Sequence, residues 1–158
     1  MRRFARATLL ALCALSLAAS LASAASVHFK GEQTFTDNGL TLTAAGALAG
    51  LGNGDVVITL SADGVGSALC RNPGGNAAPG QNKVPVLVAG TQIILAEAIK
   101  NGTTPYQLTT AGPEQPSAAE AGCPNGNWTA ELQDVVFSSA TISVEQGGAT
   151  VLEQTFAL

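Results

Sequence analysis

The chain carries very little with which to do chemistry near neutral pH. It has a single histidine, His28, a single tyrosine, Tyr106, and a single tryptophan, Trp128. A Ser-His-Asp arrangement would have to draw its base from His28. That residue lies between Val27 and Phe29 in an early apolar stretch, and no G-x-S-x-G occurs elsewhere. It reads as an exposed strand histidine. A histidine-rich zinc site is excluded by the same count. Aromatic residues make up only 4% of the chain, which argues against a sugar cleft, where rings stack on the substrate.

Cations are the next scarcity. Seven basic residues stand against eleven acidic ones. Three of the seven, Arg2, Arg3 and Arg6, lie at the N-terminus. The remainder holds only Lys30, Arg71, Lys83 and Lys100 against all eleven carboxylates, a net charge of −7. Such a chain has no electrostatic footprint for nucleic acid or an anionic membrane surface. The acids are spread thinly, so no acidic tail is indicated.

The N-terminal arginines belong to an address. They precede an apolar run from Thr8 to Leu21, and Ala22-Ser23-Ala24 follows as an A-x-A processing site. Residues 1–24 read as a secretory signal peptide, and residues 25–158 as one domain. No membrane span is expected after cleavage. Cys13 lies inside the apolar run behind Leu12, which does not fit a lipoprotein signal, and Arg2-Arg3-Phe4 lacks the rest of a twin-arginine pattern. A copper site built on an N-terminal histidine would need cleavage directly before His28. The expected location is secreted, or the periplasm or cell envelope.

Removing Cys13 leaves Cys70 and Cys123. In an oxidising compartment an isolated pair is most simply one disulfide. Closing a loop of about fifty residues is worth about 4 kcal/mol on chain-entropy grounds.

Between these cysteines and around them the chain is punctuated by turn signals: Asp37-Asn38-Gly39, Asn53-Gly54, Asp63-Gly64, Asn101-Gly102 and Gly147-Gly148. Runs of Val, Ile, Leu, Thr and Phe lie between them. Short strands separated by Gly-rich turns predict an all-β protein, an immunoglobulin-like β-sandwich of about eight or nine strands. Val56, Ile58, Leu60 and Ala62 alternate with Thr59 and Ser61, the clearest strand pattern in the chain. Thr91–Ile99 is ambiguous between helix and strand and is assigned to strand. Ser117–Ala121 is expected to hold one helical turn. In Trp128–Phe137 the apolar parity breaks, which predicts a β-bulge near Gln133-Asp134.

Candidate chemistry is thin. Glu97, Glu131, Asp134, Glu145 and Glu153 are the carboxylates available for glycoside hydrolysis, but Glu131 and Glu145 lie on the parity opposite the apolar residues of their strands. Asp37, Asn38, Asp63, Asn72, Asn76, Asn125 and Asn127 offer oxygen ligands without an EF-hand spacing, and turns explain them. Asn101-Gly102-Thr103 and Asn127-Trp128-Thr129 match the glycosylation sequon, a pattern common by chance. No cofactor is expected.

Two segments remain. Cys70-Arg71-Asn72-Pro73-Gly74-Gly75-Asn76, within the longer stretch Cys70–Lys83, reads as neither strand nor helix. Gly122-Cys123-Pro124-Asn125-Gly126-Asn127-Trp128 is the second, brought alongside by the disulfide. The functional reading is an Asn-lined recognition edge of Arg71, Asn72, Asn76, Asn125, Asn127 and Trp128, with Arg71 and Trp128 as anchors. The plainer reading is a stapled connection with Trp128 buried in the core, as in sandwiches of the immunoglobulin type.

The pattern C-x-N-P-G-G-N-x-x-P-G over residues 70–80, followed by G-C-P-N-x-x-W over residues 122–128, resembles small secreted bacterial proteins of unassigned function. The resemblance spans most of residues 25–158 and implies no catalytic or ligand residue. Secreted acidic sandwiches that carry a small chromophore are alike in composition, but their two-disulfide spacing does not match. The expectation is therefore an exported, non-catalytic binding module or envelope component, with a protein or small ligand as partner. The alternatives are a small-ligand carrier and a secreted inhibitor of a hydrolase.

Overall fold

The computed structural model describes residues 26–100 and 102–158. The predicted signal peptide and Asn101 of one sequon lie outside the described residues. The protein is nearly all β: strands β1 (His28–Phe29), β2 (Thr34–Asp37), β3 (Leu42–Ala49), β4 (Val56–Arg71), β5 (Ala77–Pro79), β6 (Val84–Ile94), β7 (Thr104–Thr109), β8 (Thr129–Gln146) and β9 (Ala149–Ala157). All pairings are antiparallel, in two sheets.

In the first sheet β3 is central. β1 and β2 share one of its edges, and β7 takes the other. In the second, β4 pairs along its whole length with β8, while β6 and then β5 share its other edge; β9 follows on the far side of β8. The sheets share one core. Leu42, Ala44, Leu48, Tyr106 and Leu108 from the first meet Val56, Ile58, Leu60, Val135, Ile142 and Val144 from the second.

β4 shows why the sequence folds this way. Every even residue from Val56 to Cys70 is buried, so a strict period of two is held across 16 residues. Gly64 and Gly66 keep that parity, and a Cβ at Gly64 would lie 2.7 Å from Val135 Cγ1 and 2.8 Å from the Val136 carbonyl. These glycines let β8 approach, and so the Gly-rich stretch that looks like a strand end is a strand interior.

β8 answers with two bulges. Its register against β4 shifts between Ser67 and Ala68, where Gln133 is left out, and between Asp63 and Gly64, where Ser138 is left out. The first is the bulge predicted from parity. The second joins two segments that read as separate strands. Each shift moves the buried set by one residue: Leu132, then Val135 and Phe137, then Ala140, Ile142 and Val144.

Three local expectations are corrected. The stretch Cys70–Lys83 is not free of strand: β4 continues through Arg71, and β5 pairs Ala77–Pro79 back onto Leu69–Arg71. Thr91–Ile99 is strand only to Ile94, after which a short 3-10 turn spans Ala96–Ala98, its first N–H accepted by Asp55 Oδ1 at 2.8 Å. Trp128 is half-buried and stands outside the core, so the reading that buries it in the core does not hold.

The β4–β8 pair is about twice as long as the first sheet. That sheet meets β8 from Gln146, whose Oε1 accepts the Gly52 N–H at 2.8 Å, back to Val135, whose N–H reaches the Gly39 carbonyl at 2.9 Å. Beyond Val135 the inner face of the second sheet needs another cover. The segment 111–123 supplies it.

Candidate functional site

The overhanging end of the second sheet is built around that covering segment. Ala121 is fully buried in the common core. Gln115 Oε1 accepts the N–H of Leu132 at 2.7 Å. A single helical turn closes with Ala121 N–H donating to the Ser117 carbonyl at 3.1 Å. Its start is a reciprocal cap: Ser117 N–H and Oγ–H donate to Glu120 Oε2 at 2.8 and 2.7 Å, and Glu120 N–H donates to Ser117 Oγ at 3.2 Å. The Ser117 hydroxyl, and then its N–H, hold the Glu120 carboxyl below its ordinary range.

The segment is fastened twice. Cys123 is bonded to Cys70, with Cα atoms 5.7 Å apart. Asn82 is the second fastening: its N–H donates to the Ala121 carbonyl at 3.1 Å, and its Nδ2 reaches the carbonyls of Glu120 and Ala119 at 3.2 and 3.4 Å. Gly122, at φ +67°, leaves room for this side chain; a Cβ there would lie 2.8 Å from Asn82 Cγ. Sequence reasoning missed Asn82, which carries no local signal. The Ser117-x-x-Glu120 box was legible as a helix start.

The two predicted loops do come together at this end. Cys70 is fully buried and points inward, so Arg71 points outward on the opposite face. Arg71 pairs across the ladder with Thr129, whose Oγ1 donates to the Arg71 carbonyl at 3.3 Å. Its guanidinium stands 4.0 Å from Glu131 Oε2, with both side chains more than half exposed. An ion pair of that kind contributes at most about 1 kcal/mol and leaves the arginine open to a partner.

The asparagines are held by turns. Asn72 Oδ1 accepts the Asn76 N–H at 2.9 Å, Asn72 N–H donates to the Asn76 carbonyl at 3.0 Å, and Gly75 at φ +82° closes the hairpin onto the Asn72 carbonyl at 2.9 Å. Asn125 Oδ1 accepts the Asn127 N–H at 3.0 Å, and its carbonyl accepts the Trp128 N–H at 3.2 Å. Asn72 and Asn125 thus spend side-chain oxygens on shape. Asn76 and Asn127 lend only backbone groups to these turns; both residues are exposed.

No group of three His, Cys, Asp or Glu side chains among the described residues is placed to hold a metal ion. His28 is exposed, with Nδ1 2.8 Å from the Ser26 carbonyl. Five surface concavities of about 140 to 410 Å³ are lined by residues outside the loop pair. The edge is built of turns, with Trp128 and Arg71 its largest side chains. No helix among the described residues is long and apolar enough to cross a membrane. No protein-family model, curated protein or solved structure matches the chain.

Proposed function

We propose that the protein is an exported, non-catalytic interaction module that meets a protein partner with the disulfide-fastened edge. One observation carries this reading: Trp128, the sole tryptophan, is half-buried outside the core and precedes Thr129, the ladder partner of the exposed Arg71, on backbone fixed by the disulfide and the turns of Asn72 and Asn125. Trp and Arg dominate binding hot spots, and backbone that is already ordered loses little entropy on binding. The five concavities of the surface are lined by residues outside this edge, which favours a protein over a small ligand, since a small ligand calls for a concave, mostly apolar pocket. In this reading the two sheets form an immunoglobulin-like sandwich in the loose sense, and the disulfide fits an oxidising compartment outside the cytoplasm or in the envelope.

The exposed hairpin tip Pro73–Gly75 favours one second reading, a wedge that enters a hydrolase cleft. Affinity capture from the host's envelope and secreted fractions, with wild type, Arg71→Ala and Trp128→Ala side by side, tests the proposal. A specific partner is expected with wild type and a loss of at least tenfold with either variant. Equal capture by all three folded proteins refutes the edge as the binding surface. Inhibition of a protease or lysozyme panel identifies the wedge.

A further inference from the structure

β9 is an edge left open. Among the described residues it pairs only with β8, and the side between β9 and the β1–β2 edge is closed by side chains rather than by a ladder. Phe156 meets Phe29 and Phe35 there, with ring centroids 5.6 and 5.1 Å apart. The other edges are blunted. β1 and β2 have two and four residues, and β5, β6 and β7 carry Pro79, Pro85 and Pro105. β9 runs for nine residues with a bulge at Val151; from Leu152 to Ala157 it is regular, with no proline, no lysine and one charge, Glu153. A regular edge of that kind is a template for another strand.

Its inner face is unfinished as well. Ala140, Ile142 and Val144 of β8 are fully buried and pair with Phe156, Gln154 and Leu152 of β9. Yet Leu152 and Phe156 are only half-buried, and Gln154 between them is exposed. The apolar row of the core therefore ends in the open, at β9.

We propose that β9 pairs antiparallel with β9 of a second copy of this chain about a two-fold axis at Gln154, joining the two larger sheets into one. The register follows from the residues. Centred on Gln154, Leu152 lies opposite Phe156 of the second copy and Glu153 opposite Thr155, all within the regular part of the strand that follows the bulge at Val151. The half-buried apolar residues thus complete one another, and the only charge faces a hydroxyl. Centring on Glu153 would set the two carboxylates against each other, which antiparallel pairs disfavour. Pairing residues of opposite parity would turn the inner face of one sheet toward the outer face of the other. The surface is separate from the Arg71–Trp128 edge, so either proposal can fail alone.

Sedimentation equilibrium of the full mature chain tests it, using wild type, Gln154→Glu and Gln154→Lys. Gln154 is exposed, so both variants keep the fold, which circular dichroism checks. Wild type is expected to dimerise reversibly. Each variant alone places like charges opposite one another at the axis and weakens dimerisation about fivefold. An equimolar mixture of the two restores it, because Glu then faces Lys. A wild-type chain that stays monomeric overturns the proposal, including one that takes up an unrelated extended peptide along β9 instead. Dimerisation equal in wild type and both variants overturns it too, since the contact then lies elsewhere.

Discussion

Asn82 and Ala121 are joined backbone to backbone, the Asn82 N–H donating to the Ala121 carbonyl at 3.1 Å while the Asn82 side chain reaches the two carbonyls before it. Through this contact the segment that follows β7 is held over the free end of the β4–β8 pair. Replacing Asn82 by Ala keeps the backbone bond and removes the side-chain ones. A loss of about 1 kcal/mol in chemical denaturation is expected, with faster amide exchange over residues 117–123 and unchanged exchange in β3.

The Cys70–Cys123 bond spans 53 residues of sequence and fastens the same segment two residues beyond Ala121. The Cys70→Ala, Cys123→Ala double variant is expected to lose about 4 kcal/mol on chain-entropy grounds, read as a lower urea midpoint. Adding Asn82→Ala to it should cost more than the two losses added, because both restrain one segment; a double-mutant cycle measures the excess.

At Gly64 the packing of β8 against β4 leaves no room for a side chain. A Cβ there would sit 2.8 Å from the Val136 carbonyl, a backbone atom that cannot rotate aside. Gly64→Ala is expected to destabilise by about 1–3 kcal/mol. Gly54→Ala, whose nearest neighbour would be Gln146 Cγ at 3.8 Å, should be close to neutral. Thermal melts of the two variants provide the comparison.

Tyr106 titrates late. Burial raises its hydroxyl from the ordinary 10.0 to about 12, and the hydroxyl donates to Gln33 Oε1 at 2.5 Å. The folded state favours the neutral form, so this contribution is complete below pH 10.0 and falls away as the pH rises toward about 12. Denaturation across that window should show stability falling in wild type and falling less in Tyr106→Phe, which has no proton to lose. The absorbance of tyrosinate at high pH reports the same ionisation directly.

Much of this architecture was legible before any coordinates. The alternation of Val56, Ile58, Leu60 and Ala62 marks a strand because side chains on a pleated backbone alternate faces. The parity break at Gln133 marks a bulge, since only an extra residue lets both halves face one core. The pair of cysteines beyond the predicted signal peptide points to one disulfide, and the structure forms it.

Other features were hidden for reasons equally physical. Asp63-Gly64 reads as a turn signal because local propensity knows nothing of a neighbouring strand; here Gly64 is strand interior because β8 presses against it. Asn82 looks like any loop asparagine until chain distant in sequence supplies its acceptors. Trp128 could have been core or surface on pattern alone, and its exposure was decided by where the Asn125 turn releases the chain into β8.

The sequence by itself determined the all-β class, the single disulfide, the scarcity of acid–base and metal-binding side chains, and the two loops worth examining, because each depends on residue type and short-range periodicity. Tertiary structure alone decided that the loops form one edge, that residues 111–123 cover the overhanging sheet, and that β9 has no second ladder neighbour among the described residues. Those outcomes rest on contacts between residues far apart in the chain, and no local pattern encodes them.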